Sequence, residues 1–256
     1  MKNLRTQQHR PKKNLLIAGI VPVIDAMNAG QQLERIYLLS TIHSPEADEL
    51  RLVADKSGTP VNKVPFEKLR NFNVENHNGC IAVKSKILYQ DLQDVISLTV
   101  ENGETPLLLL LDGITDIRNI GALARTAYIC GVHAVIIPEK GVGALNEDAM
   151  ATSAGALEKI AVCRVKNLYN AIDELHLNGI KVFASEMTAD ENIFDMGFTE
   201  PCAIILGSED KGIQPSLYKA CDARFKIPMQ HDFESLNVSV AAGIILYEAM
   251  KQRMKS

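Results

Sequence analysis

The chain lacks any run of 18 apolar residues, which leaves no candidate for a membrane-spanning helix among its 256 residues. Its opening stretch, MKNLRTQQHRPKK, holds five Lys or Arg and no acid, but no apolar segment of signal-peptide length follows. No CxxC pair occurs. The five cysteines, Cys80, Cys130, Cys163, Cys202 and Cys221, are odd in number and widely scattered, which excludes a disulfide frame or a zinc site read from spacing. They fit free thiols of a reducing compartment, so a cytoplasmic protein with no membrane association is expected. An excess of positive charge is missing too: the net charge of −4 excludes a uniformly basic coat and confines any nucleic-acid contact to local patches. A dinucleotide fingerprint is incomplete, because Gly141 and Gly143 are followed by Asn146 where a third glycine belongs. That disfavours a nicotinamide-dependent dehydrogenase. His77 and His231 have no clustered His or acid neighbours, so no metal is expected.

What is present is ordinary globular material, 46% hydrophobic and 23% charged, in a length that suits two domains. After a basic tail, 1–13, the stretch 14–86 reads as a small α/β unit. LLIAGIVPVIDAMNAG gives a short strand and turn feeding a helix, and ERIYLL, PVNKV and CIAVK give strands. SPEADELRLVADKSG reads as a helix capped by Ser44, with Pro45 at its first position and Gly58 at its end. Residues 87–104 read as a connecting helix, with Leu88, Leu92, Val95 and Ile96 at helical spacing, followed by the turn-forming ENGETP. The remainder, 105–256, opens with LLLLLDG, a run suited to a central strand of a parallel sheet buried on both faces. Alternating helices and strands follow, ending in a long helix through NVSVAAGIILYEAMKQR, and favour an α/β domain with a parallel sheet.

Three segments of this second block place polar residues and glycines where packing alone does not need them. DGITDIRNIGALAR leaves a strand end and enters a helix, the place where ligands collect on open α/β sheets. There Asn119 lies near the turn, Gly121 permits close approach, and Arg125 can lean back toward the helix start. Equally, Asn119 could cap the helix and Arg125 be a solvated charge. In ILGSEDKG a strand runs straight into Gly207, Ser208 and Glu209, with Gly212 closing the loop, which suits a clasp of backbone groups or an ordinary turn. In IPMQHDFESLNVSVA, Ser235 and Asn237 interrupt apolar residues where a helix begins and free N–H groups gather. An N-cap explains one of these two residues but not the whole run.

Taken together the segments resemble the three signature motifs of the SpoU family of RNA 2'-O-methyltransferases, of the SPOUT class. NxGxxxR falls on Asn119, Gly121 and Arg125, the second motif on Gly207, Glu209 and Gly212, and the third on IPM followed by SLNVSVA. GIVPVIDAM and HNGCIAV are similar to the two ends of the accessory domain of many members, which is related to kink-turn-binding ribosomal proteins. Asn78 stands where that domain more often has Gln, and Ile117 where many members have Pro. The layout is most like members acting on a guanosine of 23S rRNA.

The resemblance implies a deep trefoil knot in the parallel-sheet domain and S-adenosylmethionine as cofactor. The cofactor would lie against Gly207, Ile227 and Leu236, with Leu206 and Met229 as wall residues. Methyl transfer to a ribose hydroxyl would centre on Arg125, aided by Asn119, Glu209, Ser235 and Asn237. A guanidinium with a pKa above about 12 is a poor base, so a role in holding a substrate phosphate is physically easier for Arg125. Glu209 could orient Arg125 through a bidentate pair. A homodimer is implied, with Ile244, Ile245, Tyr247 and Ala249 as a compatible apolar face. RNA, either 23S rRNA or a large-subunit assembly intermediate, would be drawn by Lys2, Arg5, Arg10, Lys12 and Lys13 and by the accessory domain. The alternatives are a tRNA 2'-O-methyltransferase and a non-catalytic ribosome-assembly factor.

Overall fold

The computed structural model describes residues 15–142, 145–231 and 235–255. The chain divides into two compact units, Met1–Lys86 and Ile87–Ser256. The basic tail lies outside the described residues, as does Gly143 of the glycine pair.

In the first unit, β1 (Leu16–Ala18), α1 (Ile20–Asn28), β2 (Leu33–Leu39), α2 (Pro45–Lys56), β3 (Val61–Val64), α3 (Phe66–Arg70) and β4 (Cys80–Lys84) follow one another. The strands form a mixed sheet in the order β1-β4-β2-β3. Ser44 caps α2 by accepting from the Ala47 N–H at 3.3 Å, and Pro45 occupies the position where its missing N–H costs nothing. Val23 and Ile24 of α1, Leu50 of α2 and Ile36 and Leu38 of β2 form the core. Asn78 takes a left-handed backbone (φ 45°), which Asn tolerates better than most residues.

The second unit is built on β6 (Leu107–Asp112), every residue of which is buried. Around it run β5 (Tyr89–Gln90), α4 (Leu92–Glu101), α5 (Ile117–Ile129), β7 (Ala134–Pro138), α6 (Glu147–Thr152), β8 (Ala161–Val165) and α7 (Leu168–Leu177). Then come β9 (Lys181–Ser185), β10 (Glu191–Asn192), β11 (Cys202–Gly207), α8 (Pro215–Ala220), β12 (Ala223–Lys226) and α9 (Val238–Arg253). The eight strands lie in the order β10-β12-β9-β11-β6-β7-β8-β5, all parallel. The leucine run is explained by the period of two along a strand. Leu107, Leu109 and Leu111 pack on the side of α5 and α9, whereas Leu108 and Leu110 pack on the side of α4 and α7.

Residues 87–104 are not the single connecting helix expected. Leu88 is exposed, Tyr89 and Gln90 pair with β8 at the sheet edge, and the helix starts only at Leu92 behind its cap Asp91. Leu92, Val95 and Ile96 bury against the same cluster as Leu108 and Leu110, so α4 is part of the second unit and covers one face of its sheet. The short α3, α6 and α8 were not foreseen.

The chain order reverses direction across the sheet between β6 and β11: β6, β7 and β8 step one way, while β11, β9 and β12 lie on the other side. Helix α9 runs past this junction. At its far end Arg253 donates to the carbonyls of Phe198, Pro106 and Glu200 at 2.8–3.0 Å and to that of Thr105, while Gln252 bonds Phe198 N and Met196 O. This clamp closes the amino ends of β6 and β11. Among the described residues no helix is long and apolar enough to cross a membrane.

Candidate active site

The carboxyl ends of β6, β9, β11 and β12 meet the start of α9, at the crevice where open parallel sheets place ligands. Two cavities lie there. One, of about 340 Å³, is lined by Ser185, Glu186, Met187 and Thr188 at and beyond the end of β9, by Leu206 to Glu209 and Gly212 at and beyond the end of β11, by Ile227 after β12, and by Ser235, Leu236, Val238 and Ala241. The other, of about 670 Å³, is lined by Asp112 to Asp116 at and beyond the end of β6, by Asn119, by Gly141, by Ser208 to Gly212, and by Gln214 and Val238. Ser208, Glu209, Gly212 and Val238 border both.

Glu209 forms the shared wall because three donors hold one of its oxygens. Its Oε1 accepts from Asn237 Nδ2 at 2.6 Å, from the Val238 N–H at 3.2 Å and from Asn119 Nδ2 at 3.3 Å. Asn237 does two jobs: its Oδ1 caps α9 by accepting from the Ser239 N–H, and its Nδ2 reaches Glu209 and, at 3.4 Å, Asn119 Oδ1. Below this network the buried Asp112 carboxylate accepts from the Gln214 N–H and from Gln214 Nε2, both at 2.7 Å. It ties the loop after β11 to the end of β6.

Glycine is required at two points. A Cβ on Gly207 would lie 2.1 Å from the Gly212 carbonyl carbon, so the loop can fold back onto the strand end only over a bare Cα. A Cβ on Gly121 would sit 2.8 Å from both the Ala149 carbonyl oxygen and Thr152 Cβ, so this glycine serves the close packing of α5 on α6.

Of the residues read from sequence, Asn119, Glu209 and Asn237 are brought into one hydrogen-bonded group. Gly207, Leu206, Ile227, Leu236 and Ser235 line the smaller cavity, but Met229 does not and is half-buried elsewhere. Asn119 is not a helix cap. Asp116 holds that place, accepting from the Arg118 N–H, and Ile117 takes the first helical position, where proline is also favoured. The Asp116 carboxyl is held below its usual range, chiefly by its side-chain hydrogen bond with Arg118.

Arg125 lines neither cavity. It is exposed on α5 and makes no side-chain hydrogen bond or ion pair among the described residues; the pair with Glu209 and the reach toward Asn119 are both absent. Helix rotation is the reason. Six residues are about 1.7 turns, so the two side chains point about 120° apart. The anticipated apolar face of α9 also divides: Ile245 and Ala249 are buried in the core, whereas Ile244 and Tyr247 are exposed.

Sequence reading missed Ser185, Glu186, Met187 and Thr188. Their signal was the carboxyl end of the strand IKVFAS, which the crevice rule points to directly. Asn146, the break in the glycine pattern, caps α6 by accepting from the Asp148 and Ala149 N–H groups.

The sequence profile described as the SpoU rRNA Methylase family matches residues 106–247, and that described as RNA 2'-O ribose methyltransferase substrate binding matches residues 16–90. The TrmH-family protein YacO of Bacillus subtilis, named as a tRNA/rRNA methyltransferase, is 32% identical over 237 residues, 93% of this chain and 95% of its own. The SpoU methyltransferase AviRb from Streptomyces viridochromogenes, solved in complex with AdoMet, superposes with a TM-score of 0.61 at 25% identity, covering 94% of this chain and 91% of its own. The TrmH/SpoU tRNA modifying enzyme of A. aeolicus superposes at 0.53 with 27% identity, covering 64% of this chain and 85% of its own. With motif geometry, sheet order and both profiles in agreement, the chain belongs to the SpoU rRNA methylase family of RNA methyltransferases.

Proposed function

We propose that this protein moves the methyl group of S-adenosylmethionine to the ribose 2'-hydroxyl of a structured RNA nucleotide, with a guanosine of 23S rRNA as the substrate, as in RlmB-type members. The observation that carries the reading is the pair of adjoining cavities with Glu209 as their common wall. The smaller is the cofactor site. Its volume falls in the usual range of small-molecule clefts, its walls Leu206, Ile227, Leu236 and Ala241 suit the apolar body of an adenosine compound, and Ser185, Thr188, Ser208 and Ser235 offer polar groups. Neither Lys nor Arg lines it, which fits a cation. When bound, S-adenosylmethionine supplies an activated methyl on a sulfonium sulfur.

The larger cavity receives the acceptor nucleotide. Glu209, Asn119 and Asn237 form a pre-set wall that orients the ribose hydroxyl toward the neighbouring cavity, so the attacking oxygen is aligned before reaction. Ser235 lies on the cofactor side of that wall. A deep trefoil knot would bring the third motif back beside the second.

Arg125 serves the site of a second copy of the chain. Its exposed position, beside exposed Tyr128 and Ile129 on α5, which packs on α9 with its own exposed Ile244 and Tyr247, supports a homodimer in which its guanidinium holds a substrate phosphate. The first unit and the basic tail select the RNA in the cytoplasm. The first unit's match to a substrate-binding profile supports that role, and the rRNA reading leans on the tRNA modifying enzyme's overlap with only 64% of this chain.

Mapping ribose methylation in RNA from a strain lacking the gene tests the substrate. Loss of one 2'-O-methyl group in 23S rRNA, restored by the gene, is expected. A loss confined to tRNA moves the substrate there. No loss in any RNA, with no S-adenosylmethionine binding by calorimetry, makes the protein an assembly factor.

A further inference from the structure

Among the described residues, the smaller cavity has two carboxylates and no cation on its walls, and the two are not equivalent. Glu209 is bound by three N–H donors and belongs to the wall shared with the acceptor cavity. Glu186 borders only the smaller cavity and makes no side-chain hydrogen bond or ion pair among the described residues. Its backbone is nevertheless fixed. Its N–H donates to the Phe225 carbonyl at 2.9 Å and its carbonyl accepts from the Ala189 N–H at 3.1 Å, which anchors the turn after β9 to β12. The side chain extends to the opposite loop, with Oε2 3.3 Å from where a Gly212 Cβ would stand. A half-buried carboxylate thus borders the cofactor space without a cation beside it among the described residues.

The reaction changes the charge in that space. Methyl transfer breaks the S–C bond with its electron pair left on sulfur, forms a C–O bond from a ribose oxygen lone pair, and passes the hydroxyl proton to water. S-adenosylmethionine carries a sulfonium, an ammonium and a carboxylate, a net charge of +1, and S-adenosylhomocysteine keeps only the last two and is neutral. A fixed negative group in a cavity partly shielded from water therefore attracts the substrate form and is indifferent to the product form.

Building on the function proposed above, we propose that Glu186 is a specificity-determining residue that selects the cationic cofactor over its neutral product by charge, favouring exchange after each turnover. A merely structural role for the turn after β9 is separable from this one, because Gln at this position keeps shape and hydrogen-bonding capacity and removes only the charge.

Calorimetric titration of the full-length wild type and of Glu186→Gln with S-adenosylmethionine, S-adenosylhomocysteine and sinefungin, which carries an ammonium near the sulfonium position, tests it without turnover. In the variant, S-adenosylmethionine and sinefungin should bind about tenfold more weakly, a difference of about 1.4 kcal/mol, while the S-adenosylhomocysteine Kd moves by less than about twofold. Weakening all three ligands equally would assign Glu186 to a part of the ligand common to both forms, such as the ribose hydroxyls, and overturn the proposal. So would unchanged binding of all three by a variant whose melting temperature equals the wild type's. A wild type that binds none of them sinks the proposed function itself, a result distinct from either.

Discussion

The two ends of the same parallel sheet differ in kind. At the amino ends of β6 and β11, Arg253 and Gln252 meet backbone carbonyls and an N–H of the segments that lead into those strands. At the carboxyl ends the strands stop at Gly207 and Asp112 and leave two cavities bordered by carboxylates and amides. One helix, α9, serves both, with Asn237 at its start in the polar wall and Arg253 at its end in the clamp. A shared scaffold can therefore separate chemistry from stability by end. Changes at the carboxyl ends should cost binding and rate, and changes at the amino ends should cost folding free energy alone.

The sharpest way to break that division is Gly207→Ala, which forces a methyl into the Gly212 backbone. Overpacking of this kind costs about 1–3 kcal/mol, and here the relief must come from the loop that walls both cavities. Loss of measurable S-adenosylmethionine binding by calorimetry is expected even where circular dichroism shows a folded protein. Retained affinity would mean that the loop is not the clasp.

Arg125→Ala sharpens the comparison from outside the cavities. Its exposed guanidinium makes no hydrogen bond or ion pair among the described residues, so the melting temperature should stay within about 1 °C while kcat/KM on RNA falls on the order of 10²-fold, the usual loss when one cationic contact to a reacting system goes. Cofactor affinity should not move. Mixing this variant with Glu209→Gln should restore part of the activity if each site borrows Arg125 from the partner subunit, and should restore none if Arg125 acts within its own chain.

How far the sequence discloses this arrangement varies with the kind of signal. The buried strands β6 and β11 and the capped helix α2 are legible because burial on two faces and N-cap chemistry leave marks in consecutive residues. The grouping of Asn119, Glu209 and Asn237 follows from the motif resemblance. Helices α3 and α6, of five and six residues, span less than two turns and give no periodicity to detect. The direction of Arg125 is not legible in spacing alone, because six residues fix its reach along the helix while rotation about the axis sets where it points. The turn Ser185–Thr188 went unnoticed since its polar residues look like any surface turn until β9 is known to lie beside β11.

At the amino ends, Arg253→Met keeps an unbranched apolar stem and removes the guanidinium with its donors. Four carbonyls lose a charged partner, and a cost of about 2–4 kcal/mol, roughly 5–10 °C in melting temperature, is expected. Activity per folded molecule should remain. A large fall in kcat with unchanged melting would show that the clamp transmits to the site and that the ends are not separate.

The smallest effect distinguishes where the clamp acts. Burial pushes the thiols of Cys80, in the first unit, and Cys163, in the second, up to about 12, so in the folded state neither is a nucleophile near pH 8. Each raised pKa contributes stability that is fully present below the unfolded thiol's value near 9.0 and is lost as pH rises toward about 12. Denaturant midpoints should accordingly drift down only above about pH 9. Cys202 is also raised by burial, with Arg253 acting in the opposite sense, and its Sγ lies 3.6 Å from the Arg253 guanidinium. In Arg253→Met at pH 8, labelling of Cys202 by a thiol reagent should accelerate several-fold through local opening of the amino ends, while Cys80, in the separate first unit, keeps its wild-type rate. Equal acceleration at both would mean that the clamp stabilises the chain as one cooperative body, and the contrast between the sheet's ends would reduce to overall stability.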